Sequence, residues 1–130
     1  MSVSTHDVPL VLVVDDEEGL RSLLEYRLEQ MDFEVETAND GKAALDILSA
    51  RGDSFDALIL DLSMPKMDGF ELMRRLDPLE LDLVIFVLSG RDSEDEQLRA
   101  YELGANDYVK KPFSPAVLAT KLKNSLGKAG

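Results

Sequence analysis

The sequence predicts one doubly wound α/β domain, with about five strand–helix repeats building a single parallel sheet. Two observations predict it. Short apolar runs alternate with stretches whose apolar residues recur at helical spacing, the pattern of repeated strand–helix units. The runs around Val11, Leu58 and Val84 are almost wholly apolar, as central parallel strands covered by helices on both faces must be.

Each element follows in order. Leu10–Asp16 (LVLVVDD) is the first strand, and Leu20, Leu23, Leu24, Leu28 and Met31 then mark one helical stripe. Phe33–Ala38 (FEVETA) alternates as a half-buried strand does. Asn39-Asp40-Gly41 supply turn and cap residues before a helix carrying Ala44, Leu45 and Leu48 on one face. Phe55–Asp61 (FDALILD) is the third strand. Phe70, Leu72, Met73 and Leu76 predict a short helix that closes near Asp77-Pro78, because a residue before proline is pushed out of helical conformation. Leu83–Ser89 is the fourth strand. Ser93 and Glu96 have the spacing of a capping box for a helix ending near Gly104. Asp107–Lys110 (DYVK) is a short fifth strand. Ser114 and Pro115 then suit the N-cap and first position of a last helix, with Leu118, Leu122 and Leu126 following.

The 130 residues suit one domain, residues 1–130 with a core over about 10–126, with no linker and no low-complexity segment. No apolar run approaches a membrane span. The opening MSVSTHDVP has no basic region followed by an apolar stretch, so no secretory signal is expected. Cysteine is absent, which excludes disulfides and thiolate metal sites and agrees with a cytoplasmic location. A net charge of −12 disfavours direct binding of nucleic acid and suits either plain solubility or a local acidic cluster that holds a cation.

The acidic residues stand where such a sheet binds ligands, beyond the carboxyl ends of its strands at a reversal of strand order. The first strand finishes in Asp15, Asp16 and Glu17, and the third in Asp61 beside Leu62. If these strands are neighbours, the carboxylates share one pocket, and a hard divalent cation such as Mg²⁺ relieves their repulsion. The plainer reading makes Asp15 and Asp16 helix N-terminal charges and Asp61 a turn residue. The fourth strand ends in Ser89-Gly90, and the fifth is followed by Lys110, Lys111 and Pro112. Carboxylates, a hydroxyl and an ammonium together are what phosphoryl transfer to an aspartate requires.

These motifs, VVDDE, LILDLSMPKMDG, VLSG and GANDYVKKPF, occur in an order and at separations that resemble the receiver domain of two-component response regulators, over Leu10 to about Leu126. The resemblance implies a flavodoxin-like fold of five parallel strands in order 2-1-3-4-5 with five helices. It implies that Asp61 is the phosphoacceptor, with a histidine kinase or histidine phosphotransfer protein as donor. It makes Asp16 a direct Mg²⁺ ligand, Asp15 one acting mainly through water, and Asp61 and the Ser63 backbone carbonyl the remaining ligands. Ser89 would contact the phosphoryl group and Lys111 pair with it, while Ser89 and Tyr108 would form the switch. Pro65 and Gly69 would shape the loop after Asp61, and the Lys111–Pro112 bond would be cis. Composition does not choose between Lys110 and Lys111, and strand alternation alone leaves the choice open; the family places its lysine immediately before the proline.

On this reading the domain is not an enzyme for external substrates but catalyses only its own phosphorylation and dephosphorylation. It would change the face formed by the fourth helix, fifth strand and fifth helix. That face would control an attached output domain or effector, or form a homodimer in which Asp107, Arg99 and Lys121 could pair. Val117 stands where relatives attached to winged-helix domains usually carry a glutamate. Two other readings belong to different classes. An aspartate-nucleophile phosphatase typically has an acid/base aspartate two residues after its nucleophile, where this chain has Ser63. A flavodoxin-like cofactor binder needs a phosphate-cradling loop after the first strand, where DDEEG is acidic.

Overall fold

The computed structural model describes residues 8–129, side chains through residue 127. The segment read as carrying no secretory signal falls largely on residues 1–7, outside the described residues. The elements are β1 (Leu10–Val14), α1 (Glu18–Gln30), β2 (Glu34–Ala38), α2 (Gly41–Arg51), β3 (Ala57–Asp61), α3 (Gly69–Leu76), β4 (Val84–Ser89), α4 (Glu94–Glu102), β5 (Asp107–Lys110) and α5 (Pro115–Ala129). Short 3₁₀ turns follow α2 and α3. The strands form one parallel sheet in the order β2-β1-β3-β4-β5.

Strand alternation divides the core in two. Val11, Val13, Ala57, Ile59, Phe86 and Leu88 face one side, where Leu24 and Leu28 of α1 and Leu118 and Leu122 of α5 cover them. Leu12, Val14, Leu58, Leu60 and Val87 face the other, against α2, α3 and Ala100 of α4. Every residue of β3 is buried, which explains its unbroken apolar run. The edge strands β2 and β5 are partly exposed and correspondingly mixed in sequence.

Local chemistry accounts for the element ends. Asp40, Asp68 and Ser93 are N-caps, their side chains accepting from the backbone N–H groups of Ala43, Glu71 and Glu96. Ser114 does the same for Val117, with Pro115 opening α5. Asp32 adopts a left-handed φ of 68° after α1, and Phe33 N–H closes that helix onto the Leu28 carbonyl. Phe33 thereby leaves the strand that the alternation pattern assigned to it. The first strand stops at Val14, so Asp15 and Asp16 lie in the loop beyond it. Gly104, at φ 110°, follows α4.

Candidate functional site

β1 and β3 are neighbours, with Val14 opposite Leu60. The next residue of each chain, Asp15 and Asp61, continues the parity of the α1/α5 face, and so both carboxylates arrive in one place. One carboxylate oxygen from each of Asp15, Asp16 and Asp61 lies within 4.8 Å of the others. Asp15 and Asp61 are buried, whereas Asp16 is exposed.

Backbone groups hold the two buried carboxylates. Asp15 Oδ1 accepts from Glu17 N–H at 2.9 Å, and Asp61 Oδ1 accepts from Ser63 N–H at 3.1 Å. Arg21 Nη1 donates to the Asp15 carbonyl at 2.7 Å. Lys111 Nζ stands 3.5 Å from Asp15 Oδ2 and 3.4 Å from Asp61 Oδ1. Lys110 points elsewhere, to Asp92 at 3.3 Å on the surface. Burial pushes the Asp61 carboxyl above the ordinary carboxylate range, and Asp15 beside it adds to the effect, while Ser63 N–H and Lys111 partly offset it. Burial likewise raises Asp15, against the pull of Glu17 N–H and Lys111. Three carboxylates against one ammonium is an arrangement of oxygen ligands and excess negative charge that a hard divalent cation suits.

The loop after Asp61 is tightly drawn. Gly69 N–H donates to the Leu62 carbonyl at 3.1 Å, and a Cβ on Gly69 would come within 2.8 Å of Leu62 Cα and 2.9 Å of the Asp61 carbonyl oxygen. Pro65 precedes Lys66, whose φ is 68°. The Lys111–Pro112 peptide is cis.

Ser89 and Tyr108 form a second group, on the opposite face of the sheet from Asp61 by alternation. Ser89 is fully buried. Its Oγ accepts from Arg91 N–H at 3.0 Å and donates to Glu96 Oε1. The Tyr108 hydroxyl lies 2.7 Å from the same Oε1 and 3.0 Å from the Arg91 carbonyl oxygen. Burial raises the Tyr108 phenol above its usual value. Glu96 is therefore not the reciprocal half of a capping box. Ser93 caps the helix, but the Glu96 carboxylate turns to Ser89 and Tyr108, whose hydroxyls both donate to it, that of the fully buried Ser89 among them. Sequence spacing carried no signal for this role. All three residues expected on a dimer face are engaged within the chain: Lys121 pairs with Asp107 at 3.0 Å, and Arg99 lies 4.2 Å over the Phe70 ring.

A doubly wound sheet in order 2-1-3-4-5, with carboxylates and one ammonium gathered at its switch point, is the architecture of flavodoxin-like receivers. The family model for the response regulator receiver domain matches residues 11–123, and this chain belongs to that family. Phosphorylation-dependent signalling is the family's standard function, and its members use Mg²⁺ at such an acidic pocket. The chain is similar to the alkaline phosphatase synthesis transcriptional regulatory protein PhoP of Bacillus subtilis, 41% identical over 113 residues, which cover 87% of this chain and 46% of that protein. It is similar to the response regulator MprA of Mycobacterium tuberculosis, also 41% identical, over 87% of this chain and 48% of that one. The chain thus spans about half the length of these relatives. Among solved structures, a response regulator receiver domain protein from Clostridium thermocellum superposes with a TM-score of 0.86 at 27% identity, covering 94% and 97% of the two chains. The chemotaxis protein CheY4 of Vibrio cholerae gives 0.83 at 31%, covering 90% and 98%. No helix among the described residues is long and apolar enough to cross a membrane.

Proposed function

We propose that Asp61 is the phosphoacceptor of this receiver, charged by a histidine kinase or a histidine phosphotransfer protein. The observation that carries this is the position of Asp61: a buried carboxylate 3.4 Å from Lys111 Nζ, with oxygens of Asp15 and Asp16 within 4.8 Å. A carboxylate oxygen of Asp61 forms the new bond to phosphorus as the bond from phosphorus to the donor's imidazole nitrogen breaks. Positioning and charge neutralisation are what the protein contributes to such a transfer. Asp16, Asp15, Asp61 and the Ser63 carbonyl would hold Mg²⁺, which when bound neutralises charge on the phosphoryl oxygens. Lys111 neutralises further charge from the other side, and Ser89 donates to a phosphoryl oxygen after turning from Glu96.

The domain turns over its own phosphoryl group only; the position two residues after Asp61 is Ser63, which supplies no acid/base carboxylate for external substrates. The described residues, 8–129, form this one domain, acting in the cytoplasm. Its output passes through the face of α4, β5 and α5 to an attached output domain, to an effector or to a second copy of itself. The exposed Leu98, Tyr101 and Val117 on α4 and α5 support that direction. Incubation with acetyl phosphate and Mg²⁺, read by intact-protein mass, tests the reading. One labile phosphoryl group on the wild type and none on Asp61→Asn is the expected result. Continuous phosphate release from a stoichiometric excess, at enzymatic rates, would identify a phosphatase instead.

A further inference from the structure

The contacts of Glu96 single it out. Ser89 and Tyr108 reach one oxygen of its carboxylate from two different strands, β4 and β5. In the β4–β5 register Val87 stands opposite Tyr108 and Ser89 opposite Lys110, so the two hydroxyl residues share a sheet face and lie on a diagonal. The Glu96 backbone is itself anchored, its N–H donating to the Ser93 cap at 3.2 Å. A glutamate at this position of a helix ordinarily reaches back to the cap residue's N–H. Here it has been drawn away. Helix α4 buries only Ala100, so few apolar contacts hold it to the sheet, and Glu96 adds a polar tie to β4 and β5.

We propose that Glu96 is the latch of the unphosphorylated state: its carboxylate competes with the phosphoryl group for the Ser89 hydroxyl and releases Tyr108 when it loses. The inference rests on the reading of Asp61 as phosphoacceptor and Ser89 as hydroxyl donor. Ser89 has one hydroxyl proton. Given to Glu96, it is unavailable to a phosphoryl oxygen. Once Ser89 turns toward Asp61, the Glu96 carboxylate loses one of its two donors, and the Tyr108 hydroxyl loses the neighbour that fixed its acceptor. Ser89, Tyr108 and α4 therefore move together because one carboxylate binds all three. Glu96 acts through Ser89, which makes it a positioning residue and not a catalytic one.

The competition predicts a direction. Removing the latch enlarges the fraction of protein whose Ser89 is ready for the phosphoryl group, and apparent affinity rises with that fraction. The experiment titrates the full chain with beryllium fluoride, a phosphoryl mimic, in the presence of Mg²⁺, while NMR follows the Tyr108 ring. Glu96→Ala should bind the mimic about tenfold more tightly, a change worth about 1.4 kcal/mol. Its Tyr108 signals should move toward the mimic-bound position before any mimic is added. Glu96→Gln retains an acceptor oxygen and should fall between the two. In a Ser89→Ala background the same Glu96→Ala change should alter affinity by less than about twofold, since no proton is left to compete for. Unchanged or weaker binding by folded Glu96→Ala, with folding checked by circular dichroism and by Glu96→Gln, overturns the latch. Equal tightening in the Ser89→Ala background also overturns it, because that result marks simple removal of a negative charge. A wild type that binds no mimic overturns the underlying phosphoacceptor reading as well, whereas normal wild-type binding with an indifferent Glu96 defeats the latch alone.

Discussion

The ammonium of Lys111, the residue just past β5, stands 3.4 Å from Oδ1 of Asp61 at the end of β3, although β4 lies between those two strands in the sheet. Alternation explains the meeting. Val109 faces the α1/α5 side with Ile59, and one more alternation carries Lys111 to the side that Asp61 occupies. Tyr108 and Lys110 belong to the other side, and Lys110 ends on Asp92.

The two lysines should accordingly separate by mutation. Lys111→Ala should slow phosphorylation by acetyl phosphate at least tenfold, and Lys111→Arg should also impair it, since a planar guanidinium does not replace a compact ammonium. Lys110→Ala should stay within about twofold, because its pair with Asp92 is exposed and such pairs contribute roughly 0–1 kcal/mol. Measured phosphorylation rates decide it; a defect confined to Lys110→Ala contradicts the observed register.

The buried carboxylates should give the metal-free protein an inverted pH response. Asp15 and Asp61 are raised in the folded state, so between the unfolded value of about 4 and those raised values the native protein binds more protons than the unfolded chain. Their contribution to stability falls as pH rises through that window, and the penalty is fully present above it. Asp61→Asn should therefore melt higher than wild type at neutral pH in EDTA, with the gap narrowing as pH falls toward about 4. Thermal melts across pH check this; a variant less stable at neutral pH than at acid pH, relative to wild type, contradicts it.

Asp16 is the exposed member of the cluster. Asp16→Ala should weaken Mg²⁺ binding at least tenfold while the metal-free melting temperature is maintained or raised, since one source of repulsion is gone and no buried partner is orphaned. Calorimetric Mg²⁺ titration together with a melt in EDTA measures both quantities. Normal Mg²⁺ affinity combined with a lower melting temperature is the opposing outcome.

Gly69→Ala should destabilise the protein by about 1–3 kcal/mol and reduce Mg²⁺-dependent phosphorylation. The added Cβ meets backbone, 2.8 Å from Leu62 Cα and 2.9 Å from the Asp61 carbonyl oxygen, and backbone cannot swing aside as a side-chain tip can. The loop must shift, and Asp61 with it. Urea unfolding and acetyl phosphate labelling test the two effects; a variant matching wild type in both refutes the close approach.

Much of the molecule was legible in one dimension. The apolar runs of β1, β3 and β4 and the caps Asp40, Ser93 and Ser114 announce themselves, because secondary structure depends on residues a few positions apart. The carboxylates are visible as charges at strand ends, and the four motifs together indicate the family. The same locality set the limits. Phe33 reads as a strand residue until its N–H closes α1, and Glu96 reads as half of a capping box until Ser89 and Tyr108 claim its carboxylate.

By itself, then, the sequence determined the strand–helix alternation, the acidic strand ends and the candidate lysines. Residue patterning left open whether β1 and β3 are adjacent and which lysine reaches the carboxylates; the family resemblance alone supplied both as expectations. The tertiary structure shows the strands adjacent, Asp15 and Asp61 in one pocket and Lys111 beside them. Only that structure decided that one oxygen of Glu96 joins β4, β5 and α4. Periodicity reports which way a side chain points from its own element. Which groups meet depends on sheet order and register, and these arise from burying all the apolar faces at once.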